Sequence, residues 1–78
     1  MNWIKTINQI KNKLEDKGLT SSCNRILDAQ MILGTPGEMY LEIINVLLDW
    51  KNNNTEEYQL IRKETEELLN YGRSINYF

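Results

Sequence analysis

Glu38, Glu42 and Asp49 are the residues of this chain whose type and spacing best suit chemistry. Wound at about 100° per residue, they and Asn45 fall within an arc of roughly 60°. Carboxylates in such a line can share a hard cation, or they can meet a basic surface. Helical bundles that hold metal pairs usually combine such carboxylates with histidine, and this chain contains no histidine. Glu38, Glu42 and Asp49 therefore read either as a plain solvated face or as an exposed acidic stripe that docks a basic partner by steering and rim contacts. Glu56, Glu57, Glu64, Glu66 and Glu67 would enlarge the stripe if their helix lies alongside.

Lack of histidine also removes the commonest general base and every Ser–His or Cys–His nucleophile pair. Gly34-Thr35-Pro36-Gly37 lacks the lysine and the spacing of a phosphate-binding loop. Cys23 falls near the first turn of a predicted helix, where backbone N–H groups can activate a thiol. One turn ahead of Ile26 and Leu27, it reads instead as a small buried apolar residue. No enzyme and no cofactor are expected.

These side chains need a helix to hold them, and its start is well specified. Thr35 can cap, Pro36 suits the first helical position, and Glu38 completes a capping box. Opposite the stripe, Met39, Tyr40, Leu41, Ile43, Ile44, Val46, Leu47, Leu48 and Trp50 are all apolar. A surface helix ordinarily shows water about half its girth, so neighbours or a partner must wrap this one.

The neighbours can be read as three further helices. The first spans about 3–17: Asn2 caps it, and Trp3, Ile7, Ile10 and Leu14 form a seam with Ile4 beside it. Gly18 can take the left-handed closing position, and Leu19 can fold back behind it. A second helix starts within Thr20-Ser21-Ser22, any of which can cap, and ends at Gly34. Its apolar side is Cys23, Ile26, Leu27, Gln30, Met31 and Leu33, widened by Ala29 and Ile32. After the break Asn52-Asn53-Asn54, with Asn54 and Glu57 as a further capping box, a fourth helix covers about 55–71. Tyr58, Ile61, Thr65 and Leu68 make its seam, Arg62–Glu66 and Lys63–Glu67 are i, i+4 pairs, and Gly72 ends it. The tail through Ile75, Tyr77 and Phe78 is expected to pack back. Trp50 reads as core, while Trp3 and Tyr77-Phe78 suit either the core or a surface anchor. The fold class is all-α: a four-helix bundle-like array with short loops around a nearly all-apolar third helix.

Seventy-eight residues make one domain, residues 1–78, with little room for both a core and an enclosed active site. One cysteine excludes an intrachain disulfide framework and suits a reducing compartment. The apolar-rich run from Met39 to Trp50 is interrupted by Glu42, Asn45 and Asp49 and is too short to span a bilayer, which needs about 20 residues. A cytoplasmic location without membrane contact is expected. The net charge of −2 is uneven: residues 1–20 carry +2, whereas 38–54 and 55–78 carry −2 each. The acidic half would repel nucleic acid and favour a basic partner. A helix-turn-helix is excluded too, because the third helix offers carboxylates where arginine, lysine or asparagine should read the groove, and only Asn45 fits.

Ile26-Leu27-Asp28-Ala29-Gln30, then Gly34-Thr35-Pro36-Gly37-Glu38-Met39-Tyr40, then Leu47, resembles a pattern found in short helical bacterial proteins. These are encoded beside polymorphic or contact-dependent toxins, and several look like immunity proteins. The resemblance implies a non-catalytic inhibitor that masks a toxin's active site, and the acidic stripe would suit a basic toxin such as a nuclease. The alternative is a structural homo-oligomer, a homodimer for instance, in which the apolar excess of the third helix or the Trp3-Ile7-Ile10-Leu14 seam is shared between copies.

Overall fold

In the computed structural model, which describes residues 2–31 and 34–75, the chain forms four helices: α1 (Trp3–Asp16), α2 (Thr20–Gln30), α3 (Pro36–Asn52) and α4 (Glu56–Ser74). Each packs on its neighbour in sequence, and α4 closes the ring against α1. No strand occurs among the described residues, so the all-α bundle with short loops is as the sequence predicts. No helix among them is long and apolar enough to cross a membrane.

Local signals set the helix ends. Asn2 Oδ1 accepts the Lys5 N–H at 3.2 Å and opens α1. At its other end Gly18 takes φ +72°, the Gly18 N–H reaches Glu15 O at 3.0 Å, and the Leu19 N–H reaches Leu14 O at 2.9 Å. That pairing satisfies carbonyls the helix leaves open. Asn54 repeats the device after α3 at φ 49°, with Asn54 N–H to Lys51 O and Thr55 N–H to Trp50 O, each 3.1 Å.

Four boundaries differ from the sequence reading. Leu19 occupies the cap position of α2 without a side-chain bond, so none of Thr20, Ser21 and Ser22 caps it. The tight turn leaves no spare residue between the closing position of α1 and the start of α2. Thr55, not Asn54, caps α4, its Oγ1 accepting the Tyr58 N–H at 3.3 Å, because Asn54 is already used to close α3. The second helix stops at Gln30, short of Gly34, and α4 runs through a buried Gly72 to Ser74. Ile32, Leu33, Tyr77 and Phe78 lie outside the described residues, and Ile75 is exposed.

The core gathers the predicted seams. Ile7, Ile10 and Leu14 of α1, Ile26 of α2, Ile43, Ile44 and Leu47 of α3, and Ile61, Thr65 and Leu68 of α4 are essentially sealed from solvent. Trp50 is core, as read. On α2, Ser22, Cys23, Ile26 and Ala29 face inward, while Leu27 and Met31 sit on the rim, so its buried face is rotated from the predicted one. Half-buried Trp3 packs edge-on against Tyr40 (5.6 Å between centroids), and Tyr40 against Tyr71 (5.9 Å). These edge contacts tie α1, α3 and α4 at one end. The Tyr40 hydroxyl donates to the Leu68 carbonyl. The radius of gyration, 11.6 Å, matches the roughly 11.5 Å of a well-packed chain of this length.

Candidate functional site

The phase of α3 decides which of its side chains meet solvent. Thr35 Oγ1 accepts the Glu38 N–H at 3.2 Å and Pro36 supplies the first helical residue, so the start is pinned. With Tyr40, Ile43, Ile44, Leu47 and Trp50 turned inward, Glu38, Glu42, Asn45 and Asp49 are all exposed, as the 60° arc (roughly) requires. Leu41, 37% exposed, stands on the far edge of that stripe.

The three carboxylates do different things. The Glu38 side chain folds back against Gly34, at the turn that begins the helix. Asp49 is engaged: Arg25 of α2 reaches its Oδ2 at 3.4 Å, and the Asn53 side-chain amide donates to its Oδ1 at 3.0 Å. The Arg25 guanidinium also lies over the Trp50 ring, 5.6 Å from its centroid, which helps fix it there. Glu42 alone of the three faces the groove between α2 and α3, whose other lining residues are Arg25, Asp28, Ala29 and Val46.

Asp28 therefore joins the site, and the sequence reading missed it. The short connection between Gln30 and Pro36 makes α2 and α3 antiparallel neighbours, with Arg25 by Asp49 and, a turn on, Asp28 by Glu42. That register was the available signal. Among the described residues the ion pairs are Lys13–Glu64, Arg25–Asp49 and Lys51–Glu66, so Asp28, Glu38 and Glu42 keep no basic partner. The groove floor, Ala29 and Val46, is apolar and nearly closed to water.

The acids of α4 do not assemble into one rim. Glu64 is buried, with Lys13 Nζ 2.5 Å from its Oε1 and no hydrogen-bond partner for Oε2. The seam Tyr58-Ile61-Thr65-Leu68 turns its flank toward α1, which carries Glu64 inward. Glu57 accepts the Ser22 hydroxyl, and Glu66 takes Lys51 at 3.0 Å. Neither predicted i, i+4 pair forms: Glu66 takes the lysine of α3, and Lys63 makes no ion pair among the described residues. Lys51 is the first cause of a lowered Glu66 pKa, its hydrogen bond favouring the carboxylate. Cys23 is buried, its Sγ 3.8 Å from the Lys11 carbonyl oxygen, where a small apolar side chain fits.

No protein-family model, no curated protein and no solved structure matches this chain.

Proposed function

We propose that this chain is a non-catalytic protein-binding module whose α2–α3 face docks a basic protein, in its sharpest form a toxin domain that it neutralises by masking. The observation that carries the reading is Glu42 beside Asp28 across a groove floored by Ala29 and Val46. Among the described residues Arg25, the cation of this groove, is paired with Asp49, and neither Asp28 nor Glu42 has an ion pair; the two carboxylates draw a cationic side chain, and the apolar floor takes the methylene stem of a lysine or arginine. The same charge repels nucleic acid and an anionic membrane.

Affinity purification from the native host at low salt, with the unmodified chain as bait, tests this. A larger basic protein is expected on the bait, and it should be lost with Asp28→Lys/Glu42→Lys, both sites being exposed. Recovery of no basic protein, or equal recovery by the charge-reversed bait, overturns it.

A further inference from the structure

Arg25 lines the cavity between α2 and α3 together with Asp28, Ala29, Glu42 and Val46, and two contacts draw it to the Asp49 end. Its guanidinium reaches Asp49 Oδ2 at 3.4 Å and lies 5.6 Å from the centroid of the Trp50 ring. Both of those partners are themselves fixed. Trp50 is 3% exposed, and the Asn53 side-chain amide holds Asp49 through Oδ1 at 3.0 Å and through its carbonyl oxygen at 2.8 Å.

The hold is weak enough to be released. The Arg25 and Asp49 side chains are 49% and 53% exposed, and water and salt compete readily with an exposed pair of this kind. A second partner lies within reach on the same helix: Asp28 follows Arg25 by three residues, the spacing at which helical side chains are neighbours. Glu42 lines the same cavity from α3. Turned onto Asp28 and Glu42, the guanidinium would put the chain's own cation where the partner's lysine or arginine has to go. Held by Asp49 and Trp50, it leaves both carboxylates without an ion pair among the described residues.

We propose that Arg25 is a movable guard of this groove and that Asp49, acting through it, is a positioning residue for the partner's cation. The proposal rests on the basic-partner reading and adds the regulation of that site. With Arg25 held outward the groove is competent; with Arg25 turned inward the chain fills it, so affinity follows the population of the outward state. Plain charge attraction has a different consequence, because Asp49 would then favour a cation equally with and without Arg25.

The test compares the full chain as wild type, Asp49→Asn, Arg25→Gln and the double variant, all changed at exposed sites, with helical circular dichroism checked for each. Nuclear magnetic resonance follows the Arg25 side chain without any partner. In wild type its δ protons should carry the ring-current shift of Trp50. In Asp49→Asn that shift should be lost, and cross-peaks to Asp28 or Glu42 should appear. A short polylysine peptide at low salt then reports on the groove through the Asp28 and Glu42 amides. Asp49→Asn should weaken its binding about threefold and Arg25→Gln should tighten it, whereas Asp49→Asn should cost little once Arg25 is replaced. An Arg25 side chain that stays over Trp50 in Asp49→Asn, or leaves it without meeting Asp28 or Glu42, overturns the guard. An equal cost of Asp49→Asn in both backgrounds does the same and leaves the basic-partner reading standing. A peptide that binds none of the four proteins overturns that reading, and the guard falls with it.

Discussion

The ammonium of Lys13 on α1 lies 2.5 Å from Oε1 of Glu64 on α4, joining a half-exposed cation to a carboxylate whose side chain is only 6% exposed. Burial of an acid is costly unless its charge is met, and among the described residues Lys13 is the cation that meets it. Lys13→Met should therefore destabilise by about 1–3 kcal/mol, below the range for fully buried pairs because the lysine reaches water. Adding Glu64→Met to it should recover most of the loss, since the pair then becomes apolar contact. Urea unfolding of both single variants and the double variant measures the coupling, and a Lys13→Met variant as stable as wild type would contradict the pairing.

On α3, Leu47 is sealed in the core while Leu41 is 37% exposed. Leu47→Ala should cost about 2–5 kcal/mol, and Leu41→Ala under ~1 kcal/mol. Against a stability of about 5 kcal/mol for so small a domain, the first should leave little folded protein. Thermal melts of the two variants rank them, and equal costs would show that the helix is turned differently.

That orientation was legible from residue types alone. The Thr35-Pro36 start and the four-residue polar arc fix the rotation of α3, and the apolar seams of α1 and α4 need only a 3.6-residue repeat. What escaped depended on partners brought from elsewhere in the chain. Glu64 lies beside Thr65 of the α4 seam and reads as an ordinary surface acid until Lys13 reaches it from 51 positions away in sequence. Asp28 gains meaning only from the antiparallel register that sets it by Glu42. The caps of α2 and α4 shifted because Leu19 and Asn54 each belong to a turn shared by two helices, and a capping motif read one helix at a time does not register that sharing.

The Tyr40 ring touches Trp3 and Tyr71 edge-on, and its hydroxyl donates to the Leu68 carbonyl in a buried position. Tyr40→Phe keeps both ring contacts and should cost about 0.5–1.5 kcal/mol for the lost hydrogen bond. Tyr40→Leu gives up the edge contacts as well, each worth about 0.5–1.5 kcal/mol, and should be clearly worse. Near-ultraviolet circular dichroism should lose aromatic signal in the second variant and keep most of it in the first.

Gly18 closes α1 at φ +72°, and a Cβ there would meet nothing within 4 Å. The cost of substitution is then purely that of the backbone conformation. Gly18→Ala should destabilise by about 1 kcal/mol, and Gly18→Asn by less, because asparagine tolerates this region, as Asn54 does at φ 49°. Urea midpoints should fall in the order Gly, Asn, Ala. An alanine variant equal to wild type would mean that the turn relaxes out of the left-handed region.

Lys51 Nζ lies 3.0 Å from Glu66 Oε1, and this hydrogen bond leads the causes that lower the Glu66 pKa, with the charge of Arg73 and the Tyr58 hydroxyl adding to it against partial burial. A carboxyl whose folded-state pKa lies below its unfolded value contributes stability that is complete above the unfolded pKa. The contribution is lost as pH falls through the folded-state value. Both side chains are well exposed, 38% and 40%, so screening holds the effect below about 1 kcal/mol. Lys51→Met should accordingly be slightly less stable than wild type at neutral pH, and the gap should close as the solution is acidified through the carboxylate range. High salt at neutral pH should narrow the same gap. A difference that survives both acid and salt would assign the lysine's contribution to packing of its methylene stem against α4 in place of its charge.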